Sequence, residues 1–384
     1  MHTTDGNLHA LLERLPKSTS SRCQSGFSVA SAAFRTHPDL FDEIFKCLRN
    51  HLDLSHEGQL FFDVAQLHIH PYTGAMSLAS YAITHGPSRA INWYRGIINT
   101  KSAKIRHSGF ISGLSVKEKL VFTNGVSILP FEQAGESCQV TAFRSLLTAH
   151  PLQNVLGTHF NALAFKDLKH DKTEIHPKIP MHHDVISAIE EVLIGCILSK
   201  GLAPALISDW SEFLDPDLQA AESSWGTSGF PQDEPVSSGR LLQPDDLPNI
   251  ELFLAMDRNF KGKMRVALSR VGLARRKHIS ANKAIEYSIA LEALLSDGKT
   301  EMSHKIATRA AIILGKDYEE RLQYRKLFKK LYDVRSRAVH GDTQKDTDFE
   351  IVRESEDAIS NLLLVAAERG TEFDFDQLDL NGYL

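Results

Sequence analysis

Arg335 and His340 stand five residues apart in the segment Leu331-Tyr-Asp-Val-Arg-Ser-Arg-Ala-Val-His-Gly341, and both are residue types that handle phosphodiesters. Arginine stays charged and offers a planar fork of donors that fits a phosphate, while the proton of histidine comes and goes near neutral pH. An Arg-x4-His spacing arises by chance in many chains, so the setting must carry the weight. Here the pair closes an amphipathic, lysine-rich stretch that is followed at once by Gly341, a residue type that ends helices. Lys326, Lys329, Lys330 and Arg337 lie close to the pair and could grip flanking phosphates, although an exposed helix face also accounts for the lysines. Glu292, in the middle of a helix expected to be largely buried, could hold Arg335 across the interior or cap a neighbouring helix.

The formal net charge of −5 is unevenly spread. Residues 249–341 hold 20 Lys+Arg against 10 Asp+Glu, residues 342–384 hold 3 against 12, and residues 1–248 hold 20 against 26. The middle block is where a polyanion would be drawn. The acidic end, with Glu372, Asp374, Asp376 and Asp379, reads as a solvated tail, with folding over the basic surface as the other reading.

Other chemistries find less support. Among the 18 histidines, Leu67-His-Ile-His70 places two imidazoles on one strand face and His182-His-Asp184 resembles part of a metal-dependent phosphohydrolase, but no CxxC or HExxH pattern supplies further ligands. No metal and no cofactor is expected. Walker-type, GxGxxG and GxSxG motifs are absent. Cys23, Cys47, Cys138 and Cys196 are too few and scattered for a disulfide framework. Residues 1–17 do not read as a secretory signal, and the most apolar later stretch, 192–207, is broken by Lys200 and Gly201. These features lead us to expect a soluble cytoplasmic protein with no membrane partner.

The elements expected to position the site fall into an α+β chain. Residues 1–210 read as a mixed α+β domain. Its clearest signal is Asn124-Gly125 between the β-rich arms of residues 120–130, which predicts a hairpin. Residues 61–72 alternate in part, and 143–148 and 185–198 look helical. Residues 211–248, rich in Pro, Gly, Ser, Asp and Glu, read as a linker or long surface loop. Residues 249–371 carry apolar residues at three- and four-residue spacing in five helices: about 250–278, a second from caps Ser280 and Asn282 to Asp297-Gly298, about 300–314, one ending at His340-Gly341, and about 348–368. Short loops between them specify an all-α bundle, and residues 372–384 form the tail.

Four strings in this bundle, Ala267-Leu-Ser-Arg270, Asn282-Lys-Ala-Ile-Glu-Tyr-Ser-Ile-Ala-Leu-Glu-Ala-Leu-Leu295, His304-Lys-Ile-Ala-Thr-Arg-Ala-Ala311 and Leu331 to Gly341, together resemble the ApeA-like branch of the HEPN superfamily. The resemblance covers roughly the last third of the chain. It implies a helical bundle that dimerises so that two Arg-x4-6-His motifs face each other, the matching positions being Arg335 and His340. Many members are metal-independent endoribonucleases of toxin, antiphage or RNA-processing systems. The position after the arginine, Asn, Asp or His in many members, is Ser336 here. Asp342 stands where a branch controlled by nucleotide attachment has tyrosine, so that control is not implied.

The expected partners are therefore RNA, with transfer RNA as the candidate substrate, and a second copy of the chain. A phage-derived trigger or regulatory protein could act through the first domain. A non-catalytic HEPN module that binds RNA or protein is the first rival reading, and a metal-dependent hydrolase built on the histidine pairs is the second.

Overall fold

A computed structural model describes residues 3–15, 38–54, 60–62, 68–69, 71–135, 140–141, 144, 160–173, 182–221, 240–297, 302–341, 343 and 345–381. Helices α1 (Thr3–Glu13) and α2 (Pro38–Arg49) precede two short strands, β1 (Leu60–Phe62) and β2 (His68–Ile69). Helices α3 (Pro71–His85) and α4 (Pro87–Asn99) lead into the long strand β3 (Ser102–Ser112). After it come β4 (Leu114–Ser115), β5 (Leu120–Val121), β6 (Ser127–Pro130), β7 (Phe160–Thr173), helix α5 (His182–Cys196), β8 (Ala205–Phe213), helix α6 (Pro216–Ala221) and β9 (Arg240–Leu241). The chain is thus α+β, with an antiparallel sheet and helices first and a helical part after it.

The sheet is built around β3, which pairs antiparallel with β7 along one edge and β8 along the other. The far edge of β7 carries both β1 and β6. As Asn124-Gly125 predicts, β5 and β6 form a hairpin, with Gly125 at φ 81° in the left-handed region its turn requires. One apolar cluster joins α1 to α4 to the sheet through Leu12, Ile44, Leu78, Tyr94, Ile105 and Phe213. A second packs α5 against it through Ile111, Ala164, Val192 and Cys196.

The helical part consists of α7 (Leu247–Leu254), α8 (Arg258–Arg276), α9 (Ser280–Leu295), α10 (Met302–Leu314), α11 (Tyr318–His340), α12 (Asp348–Arg369) and α13 (Phe375–Asn381). Phe260, Leu268, Tyr287, Leu291, Phe328, Leu331 and Leu362 are buried in its shared core. Among the described residues, no helix is long and apolar enough to cross a membrane.

Several local expectations are corrected. The helix expected over about 250–278 is two helices, because Asp257 stops the first register and caps the second, accepting from the Asn259 N–H at 3.0 Å. Helix α9 begins at Ser280 but Ile279 is its N-cap, and no side chain caps it. Residues 211–248 are not wholly a linker: Ser211 to Phe213 complete β8, where Trp210 and Phe213 are buried, and Leu218 and Ala221 of α6 are buried in the first cluster. The expected helix over 143–148 falls almost wholly outside the described residues, as do Cys23, Cys138, His70 and Asp342.

The acidic tail is not simply solvated. Its helix α13 is held by Arg309, a guanidinium 1% exposed that donates to Asp379 at 2.9 and 2.6 Å, to Asp297 at 3.1 Å and to the Leu295 carbonyl at 2.7 Å. Its Phe375 ring stacks 4.1 Å from that guanidinium. The Arg309 hydrogen bonds hold the Asp379 carboxyl below the usual carboxylate range, against the opposing effect of its partial burial. A carboxyl with a lowered folded-state pKa adds stability above its unfolded value and loses it as pH falls through the folded value. Wild type is therefore expected to exceed Asp379→Asn in urea midpoint at pH 6, the gap closing as pH drops below about 4. A gap unchanged down to pH 2 would contradict this docking.

Candidate functional site

Helix α11 is defined locally at both ends. Asp317 caps its start by accepting from the Glu320 N–H at 2.9 Å, and Gly341, at φ 77°, ends it by donating to the Arg337 carbonyl. A side chain at that left-handed position costs about 1–2 kcal/mol. Gly341→Ala is expected to lower the urea unfolding free energy by about that amount; an unchanged midpoint would count against the cap.

Phe328, Leu331, Tyr332 and Val334 bury one side of α11. Lys326, Lys329, Lys330, Ser336 and His340 are exposed. Arg335 turns toward α9, its Nη2 3.5 Å from Glu292 Oε1 and its guanidinium 5.9 Å from the Tyr332 ring centre, with 36% of its side chain exposed. Glu292 thus approaches Arg335 across the bundle, as one of its two expected roles requires. Five residues along an α-helix amount to about 140° of rotation and ~7.5 Å of rise. Arg335 and His340 of one chain therefore face different directions.

Arg337 departs from its expected phosphate-gripping role. Its Nη2 donates to Asp348 Oδ1 at 2.5 Å, and the buried Asp348 also accepts from the Lys345 N–H at 3.0 Å. That pairing ties the end of α11 to the start of α12. Beside it lies a cleft of about 390 Å³ lined by Lys330, Asp333, Lys345, Asp348, Glu350 and Glu354, in which both signs of charge meet.

The basic block of 249–341 is partly neutralised in the same way. Lys261 pairs with Glu191 at 3.0 Å, Arg265 with Glu190 at 2.9 Å, Lys263 with Glu372 at 2.5 Å, Arg270 with Glu286 at 3.1 Å and Arg275 with Glu356 at 3.2 Å. Four of these five carboxylates come from outside the block. The positive charge left at the surface near the motif is that of Lys326, Lys329 and Lys330, which make no ion pair among the described residues. Burial pushes the Tyr332 phenol up from its ordinary value, and the neighbouring Glu292 carboxylate pushes it further, so it stays neutral at physiological pH.

Sequence reading missed one buried polar cluster. His107 on β3 places Nδ1 2.7 Å from Ser211 Oγ on β8 and Nε2 3.1 Å from His170 Nε2 on β7. Residues 63 and 104 positions apart meet only through strand register, which leaves no local signature. Among the described residues, no three His, Cys, Asp or Glu side chains converge as a metal site. The side chains of His68 and of His182 to Asp184 lie outside that description.

Comparison with protein-family models, curated proteins and solved structures finds no match to this chain.

Proposed function

We propose that the chain is a metal-independent endoribonuclease of the HEPN type, acting as a homodimer through Arg335 and His340. The observation that supports this most is their disposition on α11. Arg335 is steered by Glu292 and His340 is exposed at the glycine-capped end, about 140° further round the helix. Two copies related by a two-fold axis would supply two imidazoles and two guanidiniums to one groove. Val339, next to His340 on α11, and Phe349, in the first turn of α12, are exposed at 62% each and offer apolar area for such pairing.

RNA carries its own nucleophile. One imidazole takes the 2′-hydroxyl proton as that oxygen bonds to phosphorus, and a second, protonated imidazole gives its proton to the departing 5′-oxygen as the P–O5′ bond breaks. Arg335 stabilises the charge on the non-bridging oxygens. The products are a 2′,3′-cyclic phosphate and a 5′-hydroxyl. Lys326, Lys329 and Lys330 hold neighbouring phosphates, and transfer RNA is the first substrate to try. In an antiphage setting, the sheet-bearing first part would restrain the nuclease until a phage-derived trigger arrives.

The test is incubation of end-labelled transfer RNA with the protein in EDTA, beside a fully 2′-deoxy strand. Cleavage of RNA alone, leaving cyclic phosphate ends, supports the reading. Retention of RNA without cleavage favours a binding module working through the exposed lysines, and EDTA-sensitive cleavage indifferent to His340 favours a metal-dependent hydrolase.

A further inference from the structure

We infer that Tyr332 is a positioning residue which, together with Glu292, holds Arg335 as a preorganised receptor for one phosphodiester oxygen. This rests on the nuclease reading for its substrate but not for its geometry. Tyr332 lies three residues ahead of Arg335 on α11, which puts the two side chains on neighbouring helical rows, and its ring centre is 5.9 Å from the guanidinium carbon. The ring is 8% exposed and cannot itself meet a polynucleotide. It acts as a shelf.

The donors around that shelf are under-satisfied. Arg335 Nε is buried with no hydrogen-bond partner among the described residues, and the buried Tyr332 hydroxyl has only the Glu292 carboxylate nearby, short of good hydrogen-bond geometry. Glu292 stands 3.5 Å from Nη2, at the outer limit of a hydrogen bond, so it orients the guanidinium without saturating it. Arg337 Nε is likewise buried without a hydrogen bond among the described residues, whereas two other arginines of the bundle are saturated. Arg309 gives its donors to two carboxylates and a carbonyl, and Arg275 to a carboxylate, a hydroxyl and three carbonyls.

A buried donor without an acceptor is costly, and such groups point to an absent ion or water. The chemistry that answers a guanidinium Nε–H is an anionic oxygen, taken in the forked manner arginine favours. The Tyr332 phenol, kept neutral by burial, sits against Glu292 and adds no competing charge. Its removal should therefore weaken capture of the phosphodiester rather than alter the proton transfers assigned to His340.

The experiment follows the Arg335 side-chain N–H resonance in protein carrying ¹⁵N-labelled arginine, assigned through Arg335→Lys. The full chain is titrated with inorganic phosphate and with a 2′-deoxy dinucleotide, which cannot be cleaved. In wild type the resonance should shift on addition of either ligand. Tyr332→Leu should reduce the affinity read from that shift about five- to tenfold, and Tyr332→Phe should fall between, keeping the shelf and losing the hydroxyl. Glu292→Gln, which leaves the core intact, should broaden the resonance before ligand is added.

An Arg335 signal that ignores both ligands, or that responds alike in wild type and Tyr332→Leu, overturns the inference. If wild type proves unable to cleave RNA but its Arg335 signal shifts and Tyr332→Leu weakens it, the positioning role stands and the nuclease reading falls. In active protein, Tyr332→Leu should raise KM with the pH profile of kcat unchanged; a displaced pH profile would place Tyr332 in proton transfer and refute a purely positioning role.

Discussion

His340→Ala is expected to lower RNA cleavage by about 10²–10⁴-fold, the contribution typical of one well-placed general acid or base. Arg335→Ala should cost about 10²–10³-fold, because it removes the donors aimed at the transition-state charge. Arg335→Lys is the more telling change. It keeps a positive charge opposite Glu292 but loses the planar fork, so activity should stay close to that of Arg335→Ala. Both positions lie at or near the surface, and their replacement should move the unfolding free energy by no more than about 0.5 kcal/mol. Loss of cleavage without loss of stability is what separates chemistry from folding. If cleavage persists in His340→Ala under EDTA at the wild-type rate, the assignment is wrong.

Arg275→Ala should be the most destabilising single change. Its Nη1 donates to the carbonyls of Ile197, Ser199 and Leu202 at 2.8, 3.0 and 2.7 Å, Nη2 to Ser360 Oγ at 2.9 Å and Nε to Glu356 at 3.2 Å. One side chain on α8 thus satisfies the chain leaving α5 and bridges to α12. Truncation takes the arginine donor from three carbonyls, of which that of Ser199 keeps the Leu202 N–H, and leaves a partly buried carboxylate without its cation, for an expected loss of about 3–5 kcal/mol. Arg275→Lys should recover little of it, since a single ammonium cannot span these partners. Urea unfolding of the full chain measures the change. A loss below about 1 kcal/mol would mean that Arg275 does not join the sheet-bearing part to the bundle.

The contrast between Arg275 and Arg335 also explains why charge counting alone misleads here. Twenty cations against ten anions in residues 249–341 read as a basic surface. Folding brings Glu191 to Lys261 across 70 residues and Glu372 to Lys263 across 109, and the surface loses much of its sign. What remains near the motif is a lysine row one helix face wide. This narrower footprint predicts a weaker salt dependence of RNA binding than the block's formal charge implies.

What the sequence determined by itself is whatever is settled within a few residues. The end of α11 at Gly341, the hairpin at Asn124-Gly125 and the bounds of α10, α11 and α12 follow from caps, left-handed glycine and apolar spacing, all of which act over one turn of chain. The α+β class was legible on the same grounds, and so was the burial of the helix that carries Glu292, but whether Glu292 meets Arg335 or caps a neighbouring helix stayed open until the tertiary structure set the two 3.5 Å apart. Only the tertiary structure decided that Arg337 belongs to Asp348, that β8 runs through the expected boundary at 210, that α13 docks on Arg309, and that His107 meets His170. Each is a contact between segments far apart in the chain, selected by burial and by the demand that every interior charge find a partner. That demand has no footprint in local sequence, because it is met by whichever carboxylate the fold delivers.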